Sequence, residues 1–151
     1  MKYIIKHPKK EEMNQLVSLC AAHALFEKCE YDSKGKQERL SKDIFGNEPK
    51  LQCRVAVVDG DYVGYITWMK QYSTWNAAEY LYMDCLFLDD KYRSNGIGVA
   101  LVNEMKKFGK ENDITGIQWQ TPDFNERAIK FYKKIGATSL SKERFFLDIN
   151  S

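Results

Sequence analysis

The stretch YRSNGIGVAL, residues 92–101, sets how the rest of the chain is read. An apolar run, YLYMDCLFL, enters it and an amphipathic run, VALVNEMKKF, leaves it. An arginine, two small polar residues and two glycines at a strand-to-helix junction leave main chain uncovered. The first amides of a helix have no intrahelical partner. Aligned with the helix dipole, such amides form a site for an anion. Gly96 and Gly98 lack the side chains that would hold a diphosphate away, and Arg93 adds a charge-assisted contact. Leu101, Val102 and Met105 share the face that ties the helix to the sheet. A strand–turn–helix with capping glycines and no ligand is the plain alternative for a bare G-x-G.

Two other phosphate loops fit poorly. A Walker A loop needs G-x-x-x-x-G-K-[ST], which is absent. A dinucleotide fingerprint needs a third glycine where Leu101 stands, and an acid where the next strand ends Gln118-Trp119-Gln120.

Working outward, EYLYMDCLFL is apolar enough for a central strand, and the helix after the loop runs to about Asn112. LQCRVAVV, DGD and YVGYITWMKQY form a hairpin pattern around an Asp-Gly turn. KYIIK predicts a first strand. Met13, Leu16, Val17, Cys20, Ala24 and Leu25 recur at helical spacing, which predicts one buried face over Lys9 to Lys28. QERLSKDIF predicts a short second helix, stopped near Gly46 and Pro49. ITGIQWQ predicts a strand. Asn125 caps NERAIKFYKKI, and Gly136 ends that helix. ATSLSKERFFLDI predicts one or two last strands. The order β-α-α-β-β-β-α-β-α-β predicts an α/β chain with a mixed sheet covered on both faces.

At 151 residues the chain has the length of a single domain, expected over residues 1–151. The net charge of +2 lacks the basic excess of a nucleic-acid-binding protein, and none is expected as a partner. Lys130, Lys133 and Lys134 suit a solvated helix face as well as a phosphate contact. No apolar run approaches the roughly 20 residues of a membrane helix, and MKYIIKHPKK is too short in apolar content for a signal peptide. A soluble cytoplasmic protein without membrane contact is expected. Cys20, Cys29, Cys53 and Cys85 form no C-x-x-C pair, so reduced thiols are expected. His7 and His23 lack a metal-ligand spacing, so no metal is expected.

A second motif follows downstream. The pattern N-x-x-A-x-x-F-Y-x-x-x-G-A stands as Asn125, Ala128, Phe131, Tyr132, Gly136 and Ala137. With Arg93-x-x-Gly96-x-Gly98 and the preceding YMDCLFLDDKY, it resembles the GNAT superfamily of N-acetyltransferases over residues 80–137. The segments FEKCEY and DIFG resemble, more loosely, the diamine and polyamine branch. The resemblance implies a GNAT-like fold, splayed between the fourth and fifth strands, with acetyl-CoA as donor. Its diphosphate would rest on Ser94, Asn95, Gly96, Ile97 and Gly98, beside Arg93. Its pantetheine arm would pair with the backbone of Leu86 and Leu88. Asn125 would contact the pantetheine region, although on the residues alone it is a helix cap, and both readings stand. Tyr132 would be the general acid for the departing thiolate; the alternative is a core aromatic beside Phe131.

An alkylamine has a pKa near 10 and is mostly protonated at neutral pH, so something must take its proton before it attacks a thioester. Asp84 is the polar position in an otherwise apolar strand. Related enzymes often carry Glu there, and the shorter Asp suits a bridging water. An aspartate bonded to a neighbouring amide is the structural alternative. Glu27, Glu30 and Asp32 cluster where the first helix ends, and with Asp84 they would attract a multiply charged amine. The branch resemblance puts Glu30 near the substrate; a solvated loop is the alternative. His23 and Glu27 share a helix face at i, i+4. Trp75 and Asn76 suit a wall of the acceptor pocket or a dimer contact.

The expected function is acetyl transfer from acetyl-CoA to a small cationic amine, a diamine or polyamine, in a ternary complex, by a homodimer. The alternatives are another amine (an amino-sugar antibiotic, an amino acid, a protein N-terminus), a non-catalytic acyl-CoA-binding module, or a ligand-free interaction domain. Asp84 and Tyr132 weigh against the module, and the complete R-x-x-G-x-G weighs against the interaction domain.

Overall fold

The computed structural model describes all 151 residues, in two compact units, residues 1–120 and 121–151. In the first, the order is β1 (Ile4–Lys6), α1 (Met13–Phe26), α2 (Lys36–Phe45), β2 (Gln52–Val58), β3 (Asp61–Ser73), β4 (Ala78–Leu88), α3 (Ile97–Glu111) and β5 (Ile117–Trp119). Short 3-10 turns at Lys10–Glu12 and Asp90–Tyr92 precede α1 and α3. The strands lie in sequence order in one sheet, antiparallel from β1 to β4 and parallel between β4 and β5. This is the mixed α/β architecture expected.

The hairpin turn has positive φ at both Asp59 and Gly60 (49° and 84°), a backbone that matches the twist of the strands it joins. Gly64 lets β3 approach β4 closely: a Cβ there would stand 2.9 Å from the Phe87 carbonyl oxygen. Two cores follow from the alternation of strand side chains. Val55, Tyr65 and Phe87 pack with Met13, Leu16 and Leu19 of α1, and Leu40 and Ile44 of α2 join them. On the other face, α3 lies over β2, β3 and β4, with Ile97, Leu101 and Met105 buried and Phe108 edge-on to Trp68.

One sequence expectation changes here. Leu25, expected inward, is 78% exposed, because the buried stripe of α1 runs Leu16, Cys20, His23. Lys28 ends that helix with φ 60°, and Cys29 N–H donates to the Ala24 carbonyl.

In the second unit, α4 (Glu126–Lys134) starts at Asn125, whose side chain accepts from Ala128 N–H at 3.3 Å. It ends with Ala137 N–H on the Tyr132 carbonyl and Gly136 N–H on that of Lys133, with Gly136 at φ 100°. The expected last strands are absent: no strand follows Trp119. A strand exists only within a ladder, and the apolar pattern of the tail stays uncovered, with Phe145, Phe146 and Leu147 all more than 80% exposed.

Candidate active site

The site begins with a missing neighbour. β5 pairs with β4 only over Leu81, Tyr82 and Met83. From Asp84 to Leu88, β4 has a partner on the β3 side alone. In an antiparallel ladder, successive residues turn their N–H and C=O alternately toward and away from the partner strand. Asp89 N–H donates to the Val63 carbonyl, which fixes the parity. Phe87 and Cys85 therefore face β3, and Leu86 and Leu88 turn their backbone groups to the open edge. An extended chain that brings its own amides can lie along that edge.

Asp84 marks the start of the opening. The β3 register passes from Thr67↔Cys85 to Trp68↔Met83, so Asp84 is the extra residue of a β-bulge. A bulge leaves its residue unpaired and re-aims its side chain. Asp84 is exposed, and its carboxylate accepts only a long contact of 3.6 Å from the Cys85 thiol. Burial pushes Cys85 up to about 12, so the neighbouring group is a neutral thiol.

The far end of the edge leads into the loop before α3. Ser94 and Gly96 both have positive φ (67° and 81°), and Gly96 is the residue before Ile97, with no side chain capping the helix. The first intrahelical bond is Ala100 N–H to the Gly96 carbonyl, so the amides of Ile97, Gly98 and Val99 face outward. Ser94, Asn95 and Gly96 are exposed. Asn95 folds back, its Nδ2 donating to the Tyr92 and Arg93 carbonyls. A Cβ at Gly96 would meet nothing nearer than the Tyr3 hydroxyl at 4.0 Å, so the cradle is open space. The outward amides and the open edge have the donors and the shape that a diphosphate joined to an extended arm needs.

Arg93 is placed differently from a freely reaching phosphate ligand. Its Nε donates to the Leu88 carbonyl at 3.0 Å, its guanidinium meets Asp90 at 3.3 Å, and it stacks over Phe26 at 4.8 Å. It braces the loop against β4 and the end of α1. The sequence offered no sign of that second contact.

Over Phe87 of β4, His23 of α1 bonds Tyr65 through Nδ1 (2.7 Å) and Glu27 through Nε2 (2.6 Å). Glu27 and Glu30 do not share a wall. Glu30 lines an open groove of about 590 Å³ with Ala21, Leu25, Cys29, Tyr31 and Asp32. Ala21 and Leu25 stand roughly 200° around the helix from His23 and Glu27, at about 100° per residue. Burial and the neighbouring Cys20 thiol push Tyr31 of that groove up to about 12. Trp75 is also apart: it tops the β3–β4 hairpin, 99% exposed, and the strand from Ala78 to Asp84 alone spans about 20 Å.

In the second unit, Asn125 is engaged as the helix cap, and its Nδ2 donates to Thr121 Oγ1 at 3.4 Å. Tyr132 is half-buried on α4, its ring edge-on to Phe131 at 5.7 Å. No group of three or more His, Cys, Asp or Glu side chains is arranged to hold a metal ion, and all four cysteines are free thiols.

One expectation follows from the cradle alone. Gly96→Ala has room for its methyl group but must hold φ at +81°, which costs on the order of 1 kcal/mol. If the backbone relaxes, the amides turn away. The KM for acetyl-CoA then rises roughly tenfold, as loss of one charge-assisted bond predicts, while the acceptor KM moves less. Steady-state kinetics with each substrate varied in turn measures the two.

Comparison with known proteins identifies the family. A sequence profile described as the acetyltransferase (GNAT) family matches residues 11–137. A thialysine N-epsilon-acetyltransferase of Bos taurus is 26% identical over 147 residues, covering 92% of this chain and 86% of that protein. Its Caenorhabditis elegans namesake is 26% identical over 132 residues, covering 87% and 81%. Among solved structures, an aminoglycoside N-acetyltransferase in complex with CoA superposes with a TM-score of 0.82 at 13% identity, covering 98% of this chain and 95% of that one. The chain belongs to the acetyltransferase (GNAT) family and is an acetyl-CoA-dependent N-acetyltransferase.

Proposed function

We propose that the protein transfers the acetyl group of acetyl-CoA to a primary amine of a small cationic acceptor, a diamine or polyamine, in a ternary complex. The observation that carries this reading is the continuous binding edge. It starts at the bulged Asp84, follows the outward groups of Leu86 and the outward N–H of Leu88, whose carbonyl is held by Arg93, and ends on the uncapped amides of Ile97 and Gly98. The thioester supplies the electrophilic acetyl carbonyl. Asp84 receives the amine proton, directly or through water, and the neutral nitrogen then bonds to the acetyl carbon as the carbon–sulfur bond breaks. Tyr132 gives its phenolic proton to the leaving sulfur, and the new amide nitrogen gives up its second proton, which restores the phenol through solvent. The amides near Leu86 steady the developing oxyanion. The match of the second motif supports the role of Tyr132. It also supports a second part for Asn125, beside its cap, near the pantetheine arm.

The relatives named for an epsilon nitrogen of thialysine support a terminal amine as acceptor. Glu27 is the proposed contact for a second positive charge. Glu30 and Asp32, in the outer groove, add to the negative field that draws a cation in. The family match runs across both units, which supports reading residues 1–151 as one transferase domain. The exposed Phe145, Phe146 and Leu147 support a homodimer, with Trp75 as a further contact, and sedimentation at micromolar concentration tests it. The free thiols are consistent with a cytoplasmic setting.

The deciding experiment follows thiol release from acetyl-CoA with a polyamine, a diamine, thialysine, an aminoglycoside and a peptide with a free N-terminus. Release with the first three alone is the expected result. Binding of CoA with no release from any amine points to a binding module, and release only with the aminoglycoside or peptide moves the acceptor to another class.

A further inference from the structure

The imidazole of His23 is held on three sides. It lies flat on the Phe87 ring, with centroids 5.0 Å apart and planes 20° apart, and both nitrogens are bonded. Tyr65, bonded to Nδ1, is deeply buried, and burial together with the Cys85 and Cys20 thiols drives its phenol far above the usual range. A phenol so placed stays neutral and serves as a fixed anchor. The ring in turn fixes Glu27 through Oε2, and Oε1 makes no bond within the protein. Glu27 stands at the C-cap of α1, where the helix dipole opposes a negative charge. A carboxylate kept rigid at an unfavourable place, with one oxygen uncommitted, is built to meet a cation.

Asp84 lies beside the core beneath α1: its carboxylate is 3.6 Å from the thiol of Cys85, which packs against that core. Glu30 and Asp32 line the outer groove with Ala21 and Leu25, and Glu27 is not among its lining residues. Resting on the amine acetylation proposed above, we propose that His23 is a positioning residue for acceptor recognition. It holds Glu27 so that its free oxygen binds the distal ammonium of a dicationic acceptor, while Asp84 meets the reacting nitrogen. Glu27, and not Glu30, then sets the preference for a second charge.

The test compares 1,4-diaminobutane with butylamine, which differ only in the distal ammonium. His23→Leu keeps an apolar contact with Phe87 and loses both polar ones; His23→Gln can restore a donor to Glu27; Glu27→Gln removes the charge. His23→Leu and Glu27→Gln each reduce the diamine-to-monoamine ratio of kcat/KM roughly tenfold, the worth of one bond to a charged group. The change lies in the diamine KM. His23→Gln recovers most of the ratio. A merely structural His23 lowers both amines by the same factor, and that result, or an unaltered ratio in Glu27→Gln, overturns the proposal. Calorimetric binding of the diamine separates it from the transfer reading. Should no amine be acetylated while diamine binding still weakens tenfold in His23→Leu, the positioning role stands and the transfer reading fails. Should binding be the same in both proteins, the positioning role fails.

Discussion

Tyr132→Phe is expected to lower kcat by about 100-fold or more, the scale of one well-placed general acid, with a small effect on both KM values. The substitution removes one oxygen and keeps the ring, so the edge-on contact with Phe131 survives. The thiolate would then have to leave unprotonated. Two controls give the result its meaning. The denaturation midpoint of the Phe variant should lie close to wild type, because Tyr132 is only half-buried and its place on α4 is set by the Asn125 cap and the Gly136 stop. A thioester whose leaving group is a more acidic thiol should lose less rate, since it depends less on a proton. If kcat is unchanged with acetyl-CoA, Tyr132 is an aromatic of the fold and the sulfur draws its proton from elsewhere.

The legible parts of this chain are those where local chemistry decides. Asp59-Gly60 between two β-branched runs announces its turn, because few other residues accept two positive φ values in succession. Asn125 and Gly136 bracket α4 for the same kind of reason. The loop before α3 is legible because glycines and an uncapped helix start leave a chemical signature. The misread parts are those where pairing decides. The tail carries an apolar strand pattern yet has no ladder to join, so its pattern is never cashed into structure. Leu25 fits the helical spacing as well as His23 does, and only the position of β3 and β4 beneath α1 chooses between them. The stripe Leu16, Cys20, His23, Glu27 was the available signal. Its polar members disguised it, since a periodicity search counts apolar residues. Trp75 shows the limit of closeness in sequence, because a long hairpin carries it far from a strand residue nine positions away.

Asp84 joins both kinds. The polar residue inside YLYMDCLFL is visible in the sequence, but the register slip that leaves it unpaired depends on β3 and is visible only in the ladder. The slip makes a strong prediction. Asp84→Asn keeps shape and hydrogen-bonding capacity, so the bulge and the fold should persist, whereas the proton acceptor is gone. The variant must wait for an amine that arrives neutral. With an ordinary alkylamine pKa near 10, that is on the order of one molecule in a thousand at pH 7 and one in ten at pH 9. The expected loss in kcat/KM is therefore about 100-fold or more at pH 7, shrinking to several-fold at pH 9. A role for Asp84 limited to bonding its neighbours gives a deficit that is the same at both pH values, because the supply of neutral amine is then common to both enzymes. A deficit that closes as the pH rises assigns the proton to the Asp84 carboxylate.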